Sequence, residues 1–200
     1  GIPTYRKDIC ARIMEGIRRH CPELVICLSL SGRHFQEISK RSEALELQPD
    51  MGSLTLSSLN FPQHASLNAP DTIQALAEKM NPLGVPPELE VFDLGMLHYG
   101  HYLIRKNILK PPYYFNFIFG NIAGLQSDLT EMGLCLHQLP PDSLWAFGGI
   151  GRQQLAANAI AIAAGGGVRI GLEDNLYFDS GKQVLAQNNS LLQRVHQLAK

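Results

Sequence analysis

A regular alternation of strand-like and helical segments along nearly the whole length is the feature of this sequence that most constrains its fold. Short runs rich in β-branched and aromatic residues predict strands, and each is followed by a segment with helical periodicity. Such alternation indicates parallel strands joined by crossover helices, either as a doubly wound sheet or as a barrel. The predicted strands are residues 24–28, 51–56, 89–92, 114–119, 144–147 and 168–172, and the helices are 7–19, 35–47, 71–80, 102–109, 125–137, 153–164 and 185–199.

The pattern within the strands favours the barrel, because polar and apolar residues alternate in segments such as 168–172. A (β/α)8 TIM barrel needs eight units and typically takes about 250 residues. This sequence has 200 residues and six predicted βα units. We therefore expect a single, N-terminally incomplete TIM-barrel domain over residues 1–200, without the first strand, the first helix and the second strand.

The composition excludes some classes of function. Charged residues make up 18% of the chain and the formal net charge is −1, so no basic surface for nucleic acid is expected. The longest apolar run, residues 156–168, is interrupted by Asn158 and ends in glycines, which argues against a membrane span. The four cysteines form no CxxC pair, as is typical of reduced thiols in a cytoplasmic protein. We expect small-molecule partners, with no nucleic acid and no membrane.

Charged residues mark the last predicted strand. If residues 168–172 alternate between the helix layer and the barrel interior, Arg169 and Glu173 point inward and Asp174 lies at the C-terminal tip. Barrel active sites lie at the C-terminal ends of the strands, and buried charges are costly unless they are paired or bound to metal. We interpret these residues as functional. A structural ion pair between Arg169 and Glu173 is the alternative.

Polar residues of three other predicted strands are candidates for the same mouth. Glu90 has the inward parity in strand 89–92, Ser29 follows strand 24–28, and Ser53 shares its parity with Thr55 in strand 51–56. These side chains are suited to substrate binding. The alternatives are a core carboxylate satisfied by backbone groups for Glu90, and ordinary turn capping for the hydroxyls.

Several motifs follow one another along the chain: SLSG at 29–32, SLNF at 58–61, PELEVFDLGM at 87–96, GIGR at 149–152 and VRIGLEDN at 168–175. In this order they resemble the motifs of the β-keto acid cleavage enzymes, the family of the 3-keto-5-aminohexanoate cleavage enzyme of lysine fermentation. The resemblance extends over the full length. The last-strand motif is specific, whereas GIGR alone is a weak signal.

The resemblance implies a zinc-dependent TIM barrel that exchanges acyl groups, so that a β-keto acid and acetyl-CoA become acetoacetate and a new acyl-CoA. Carried onto this sequence, it implies that Glu173 is the carboxylate ligand of the metal and Asp174 the general base. Arg169 would orient that base and the substrate. Such chemistry needs a base to remove a proton next to the ketone and a Lewis acid to hold the enolate.

The resemblance also implies which residues line the substrate pocket and how the protein assembles. Ser29, Ser53 and Glu90 match polar pocket positions of the family, whereas Thr55 stands where an asparagine is expected. A homo-oligomer is implied. Self-association also agrees with an incomplete barrel, which would leave strand edges and apolar surface to be covered.

One departure from the family concerns the metal. The family supplies two zinc-binding histidines as a His-x-His motif at the end of the second strand, and this sequence contains no such motif. The segment GIPT at 1–4 resembles the loop that follows that strand. We therefore expect the histidine ligands upstream of residue 1.

Two other functions remain open from the sequence. One is a metal-dependent keto-acid aldolase or decarboxylase that works without coenzyme A, which an assay with and without acetyl-CoA separates. The other is a non-catalytic barrel subunit. The complete set of Arg169, Glu173 and Asp174 argues against this second alternative.

Overall fold

The computed structural model describes residues 3–200, so the start of the GIPT segment, Gly1 and Ile2, lies outside the described residues. The chain divides into two compact units. The first runs to Leu89 and also takes in Tyr99–Lys110, and the second comprises Glu90–His98 and Pro111–Lys200. The single domain expected over residues 1–200 stays a prediction.

The first unit contains short parallel strands and the helices that cover them. Strand β1 pairs in parallel with β2, with Cys27 opposite Met51, and β3 and β4 form a separate antiparallel hairpin. Its elements are α1 (Lys7–His20), β1 (Cys27–Leu28), α2 (Ile38–Arg41), a 3-10 helix (Glu43–Leu47), β2 (Met51–Thr55), β3 (Leu59–Asn60), β4 (Ala65–Ser66), α3 (Pro70–Leu83) and the start of β5 (Pro87–Val91).

Helix α3 shows how the sequence sets these elements. Pro70 occupies its first turn, where the missing N–H costs nothing, and Gly84 ends it with a φ of 67°, a conformation that glycine adopts without strain. Between them Ile73, Leu76 and Met80 recur at helical spacing and are fully buried. The apolar face of α3 is therefore core of the first unit.

The second unit is built on longer parallel strands. Strands β6 and β7 pair over their full lengths, from Tyr113 opposite Ser143 to Phe119 opposite Gly149, and β7 pairs with β8. Four buried phenylalanines pack together on β6 and β7. The elements are the end of β5, the start of α4 (Leu94–Arg105), β6 (Tyr113–Phe119), α5 (Leu129–His137), β7 (Ser143–Gly149), α6 (Gln153–Ala163), β8 (Gly167–Val168) and α7 (Asn188–Leu198).

The strand order identifies the fold class. In the first unit the order is β1-β2-β5, and in the second it is β5-β6-β7-β8, since β5 contributes residues to both. Strands that follow chain order, with helices in the connections, are the topology of successive βα units in a (β/α)8 barrel. The prediction of a TIM barrel with about six βα units present is confirmed.

Some predicted boundaries were wrong. The strand expected at 168–172 ends at Val168, and the chain then leaves the extended path at Gly171, which has a φ of 145° and is followed by a turn. The helix expected at 35–47 is broken into α2 and the 3-10 helix. Within residues 3–200, no helix combines the length and the apolar character needed to cross a bilayer.

Candidate active site

Arg169 lies at the centre of a cluster of charges in the second unit. Its backbone N–H donates to the carbonyl of Phe147 at 3.0 Å, which continues the pairing of β8 with β7 by one residue. Its guanidinium is 20% exposed and contacts Asp174 through Nε–Oδ2 at 2.7 Å. It also contacts Glu90 through Nη1–Oε1 at 3.3 Å and Glu173 through Nη2–Oε2 at 3.6 Å.

Three carboxylates around Arg169 stabilise its charged form. Burial opposes the charged form of the guanidinium, but the hydrogen bond and charge of Asp174, with the charges of Glu90 and Glu173, outweigh it and raise the pKa of Arg169 above its ordinary value. One cation therefore faces three carboxylates. A negative excess remains at the site, which suits the binding of another cation.

The two adjacent acidic residues occupy different environments. The Asp174 carboxylate is 9% exposed and takes two hydrogen bonds from Arg169, whereas the Glu173 carboxylate is 73% exposed. Glu173 was expected to point inward from a strand, but the strand ends before it, and Glu173 lies in the turn at 172–174, where it contacts Arg169 from the solvent-exposed edge of the cluster. The buried partner of Arg169 is Asp174.

Helix α6 holds the backbone on both sides of this pair. The buried Asn158 donates through Nδ2 to the carbonyls of Phe147 and Arg169, each at 3.0 Å. The N–H of Gly151, in the turn that precedes this helix, donates to the carbonyl of Asp174 at 2.7 Å. Asn158 was not among the residues that the sequence pattern pointed to. The sequence feature that could have indicated it is the presence of one asparagine in a segment of mostly alanine and isoleucine.

Gly148 gives the Arg169 side chain its space. A Cβ at this position would lie 2.9 Å from Cβ, 3.1 Å from Cγ and 3.0 Å from Cδ of Arg169. These distances are shorter than carbon atoms tolerate, so any larger residue would displace the arginine. The aliphatic part of the Arg169 side chain therefore packs against the backbone of Gly148 in β7.

The predicted serines lie in the first unit and act there as local acceptors. Ser53 is buried and its Oγ accepts from the N–H of Leu30 at 3.1 Å. Ser29 is exposed and its Oγ accepts from the N–H of Ser31 at 3.3 Å. The Ser29 bond is the turn-capping alternative, whereas Ser53 lies in β2 and accepts from the loop after β1. Each uses a lone pair of the hydroxyl and leaves its hydrogen for donation to another group.

A buried arginine orders the same part of the first unit. Arg41 donates to the carbonyl of Leu30 at 2.7 Å, to the carbonyl of Leu67 at 3.2 Å and to Oδ1 of Asn68 at 2.7 Å. Burial lowers its pKa below the ordinary value. The loop after β1, which carries Ser29, is thus tied to the hairpin region by a cation with no carboxylate partner among residues 3–200.

The described residues do not by themselves fit a zinc site. A catalytic zinc normally takes three protein ligands and keeps one position open. Among residues 3–200 no group of three or more histidine, cysteine, aspartate or glutamate side chains is arranged to hold a metal ion. At the Arg169 cluster, the side chain with room for a metal is Glu173, since Asp174 is already bound by Arg169.

Solved structures share this fold. A chain titled "Apo structure of ObcA" matches with a TM-score of 0.72 over 98% of this chain and 50% of its own length, at 20% identity. A second, titled "Binary complex of ObcA with oxaloacetate", matches with a TM-score of 0.71 over 98% of this chain and 51% of its own. The chain therefore spans about half the length of these structures, and at this identity the likeness concerns the fold alone.

Sequence relatives define the family. The 3-keto-5-aminohexanoate cleavage enzyme of Fusobacterium nucleatum is 35% identical over 203 residues, covering 100% of this chain and 73% of the relative. The 3-oxoadipate:acetyl-CoA acetyltransferase of Cupriavidus necator is 35% identical over 193 residues, covering 95% and 67%. The family described as beta-keto acid cleavage enzyme matches residues 1–200. The resemblance and the enzyme class inferred from the motifs are thereby confirmed, and the chain belongs to the β-keto acid cleavage enzyme family.

Proposed function

We propose that the protein exchanges acyl groups between a β-keto acid and acetyl-CoA, forming acetoacetate and a new acyl-CoA. The observation that carries this proposal is the buried Arg169–Asp174 pair directly after β8, within the motif that best identifies the family. The names of two relatives agree with the co-substrate, namely 3-oxoadipate:acetyl-CoA acetyltransferase and 3-dehydrocarnitine:acetyl-CoA trimethylamine transferase.

Asp174 is the proposed base. Its carboxylate takes the proton from the carbon between the ketone and the carboxylate of the substrate, which leaves an enolate. Arg169 holds Asp174 by two donors, so that the oxygen atoms keep one orientation. Glu90 contacts the opposite side of the guanidinium and restricts its movement. A fixed base is needed because proton transfer requires approach within hydrogen-bond distance.

Ser29, Ser53 and Glu90 are proposed to contact the substrate. The two hydroxyls each keep a hydrogen that can be donated to a substrate oxygen. The Glu90 carboxylate is 15% exposed, and one of its oxygens contacts Arg169. These roles remain proposals, as do the homo-oligomer and a cytoplasmic location.

Acetyl-CoA should be required for turnover. We expect that a β-keto acid is consumed, and an acyl-CoA produced in equal amount, only when acetyl-CoA is present. The measurement follows both compounds by chromatography, with and without acetyl-CoA. Equal consumption of the keto acid in both reactions would instead identify an aldolase or decarboxylase that works without coenzyme A.

Zinc is proposed as the metal, with Glu173 as the one ligand that the described residues offer. Its support is an exposed carboxylate at the edge of the Arg169 cluster and the family to which the chain belongs. Because one carboxylate is a poor zinc site, we expect this chain alone to bind zinc weakly or not at all. Tight binding is expected only where two histidines complete the set.

Glu173→Gln tests the ligand assignment. In a protein that carries the two histidines, this change should remove both zinc and activity, because a neutral amide is a poor ligand for zinc. Zinc content is measured by atomic spectroscopy beside turnover. Glu78→Gln, an exposed change in α3, is the control that should keep both. Full zinc content in Glu173→Gln would show that Glu173 is not a ligand.

A further inference from the structure

A cavity beside the candidate site in the second unit is lined by apolar side chains and by cations. Its volume is about 240 Å³, and it lies among the loop after β7, residues 174–182 and helix α7. Leu155, Leu176 and Phe178 give it apolar walls. Arg152, Lys182 and Arg194 also line it. Three cations from three separate segments therefore face one small space.

These cations have no carboxylate partner within residues 3–200. Arg152 and Lys182 are exposed and form no ion pair there. Arg194 is held in place by a bond from Nη1 to the carbonyl of Phe178 at 2.7 Å, with its guanidinium 4.7 Å from the centre of the Phe178 ring. Burial lowers the pKa of Arg194, as expected for a cation without a carboxylate beside it.

The two carboxylates that line the cavity are already engaged. Asp174 is paired with Arg169, which it shares with Glu90 and Glu173. Asp179 accepts from the N–H of Gln183 at 3.0 Å and of Val184 at 2.7 Å, which fixes it within its own turn. Three cations therefore face two carboxylates that already have hydrogen-bond donors, and the remaining donors of the cations suit phosphate oxygens.

We propose that this cavity binds the phosphate groups of acetyl-CoA. The identity of the ligand rests on the proposed function, whereas the preference for a phosphate rests on the cations. A phosphate group has several acceptor oxygens and up to two negative charges, so it can bind more than one of these cations, whereas a monocarboxylate has a single charge to share between them. The volume suits the phosphate-bearing part of the coenzyme rather than the whole molecule.

The experiment titrates the protein calorimetrically with acetyl-CoA, with 3′,5′-ADP, with S-acetylpantetheine and with acetoacetate. The Arg152→Gln, Lys182→Gln double variant should weaken binding of the two phosphate compounds by about tenfold or more. It should leave S-acetylpantetheine and acetoacetate unchanged. The control is Arg12→Gln, Lys110→Gln, which removes the same charges from exposed positions of the first unit and should change nothing.

The possible outcomes distinguish a failure of the proposed phosphate site from a failure of the proposed reaction. Equal affinity of the double variant and the unchanged protein for 3′,5′-ADP would overturn the phosphate site, as would an equal loss for S-acetylpantetheine. Should the double variant not fold, Lys182→Gln alone gives the same comparison, since its side chain is exposed in a loop. If the double variant loses affinity for 3′,5′-ADP but the protein consumes the keto acid equally well without acetyl-CoA, the phosphate site is supported and the proposed reaction is contradicted.

Discussion

In a protein that carries the two zinc-binding histidines, replacing Asp174 with asparagine should lower turnover by about a thousandfold, the usual contribution of a positioned general base. Asparagine has nearly the same shape and can still accept a hydrogen bond from Arg169, but it cannot take a proton from carbon. Binding of the substrate and of zinc should change little. The measurement is the rate of acyl-CoA formation at saturating substrate, with zinc content determined on the same sample.

The matched control is Asp142→Asn. Asp142 is exposed and has a φ of 61°, a conformation that asparagine adopts as readily as aspartate, so rate and stability should both be kept. Full turnover by Asp174→Asn would show that another group takes the proton, and the Arg169–Asp174 pair would then be structural. Absence of turnover in the unchanged, zinc-loaded protein would favour the non-catalytic subunit.

Replacing Gly149 with alanine should destabilise the protein by about 3 kcal/mol or more, at the upper end of what overpacking costs. The added Cβ would lie 2.6 Å from the carbonyl carbon of Gln153 and 2.7 Å from the backbone nitrogen of Gln154. Both atoms belong to the first turn of α6, so the helix itself has to move. Urea unfolding monitored by circular dichroism measures the change.

Gly133→Ala is the control for the glycine substitution. Gly133 lies inside α5, and an added Cβ would meet nothing within 4 Å. Alanine favours a helix interior over glycine by about 1 kcal/mol, so this change should stabilise the protein. An unchanged midpoint for Gly149→Ala would mean that β7 and α6 separate at little cost, and that the GIGR motif is not there for packing.

The sequence was sufficient for the fold class and for the centre of the site. Alternation of strands and helices predicted the βα units, and Arg169, Glu90 and Asp174 were correctly expected to be charged groups near one another. The order of units is a property of the whole pattern, so errors of a few residues in each boundary did not affect it. The specific motif at 168–175 pointed to the same residues.

What the sequence did not predict depends on backbone geometry at single positions. Parity along a strand places Glu173 inside only if the strand continues, and the positive φ of Gly171 ends that continuation. Glycine, being free to adopt many conformations, gives no warning of which one it takes. The hairpin of β3 and β4 was missed because each strand has two residues, too few for a periodic pattern.

The shortness of β8 has a consequence for how the arginine is kept in place. With two paired residues, the sheet can do little to fix the chain beyond Val168. The Asn158 amide bridges the carbonyls of Phe147 and Arg169 and so takes the place of the missing ladder bonds. The backbone position of Arg169 thus depends on a hydrogen-bonding side chain of helix α6 as well as on the short strand β8. Residues beyond Asn175 make none of these bonds, so changes in their sequence should leave the Arg169 backbone in place.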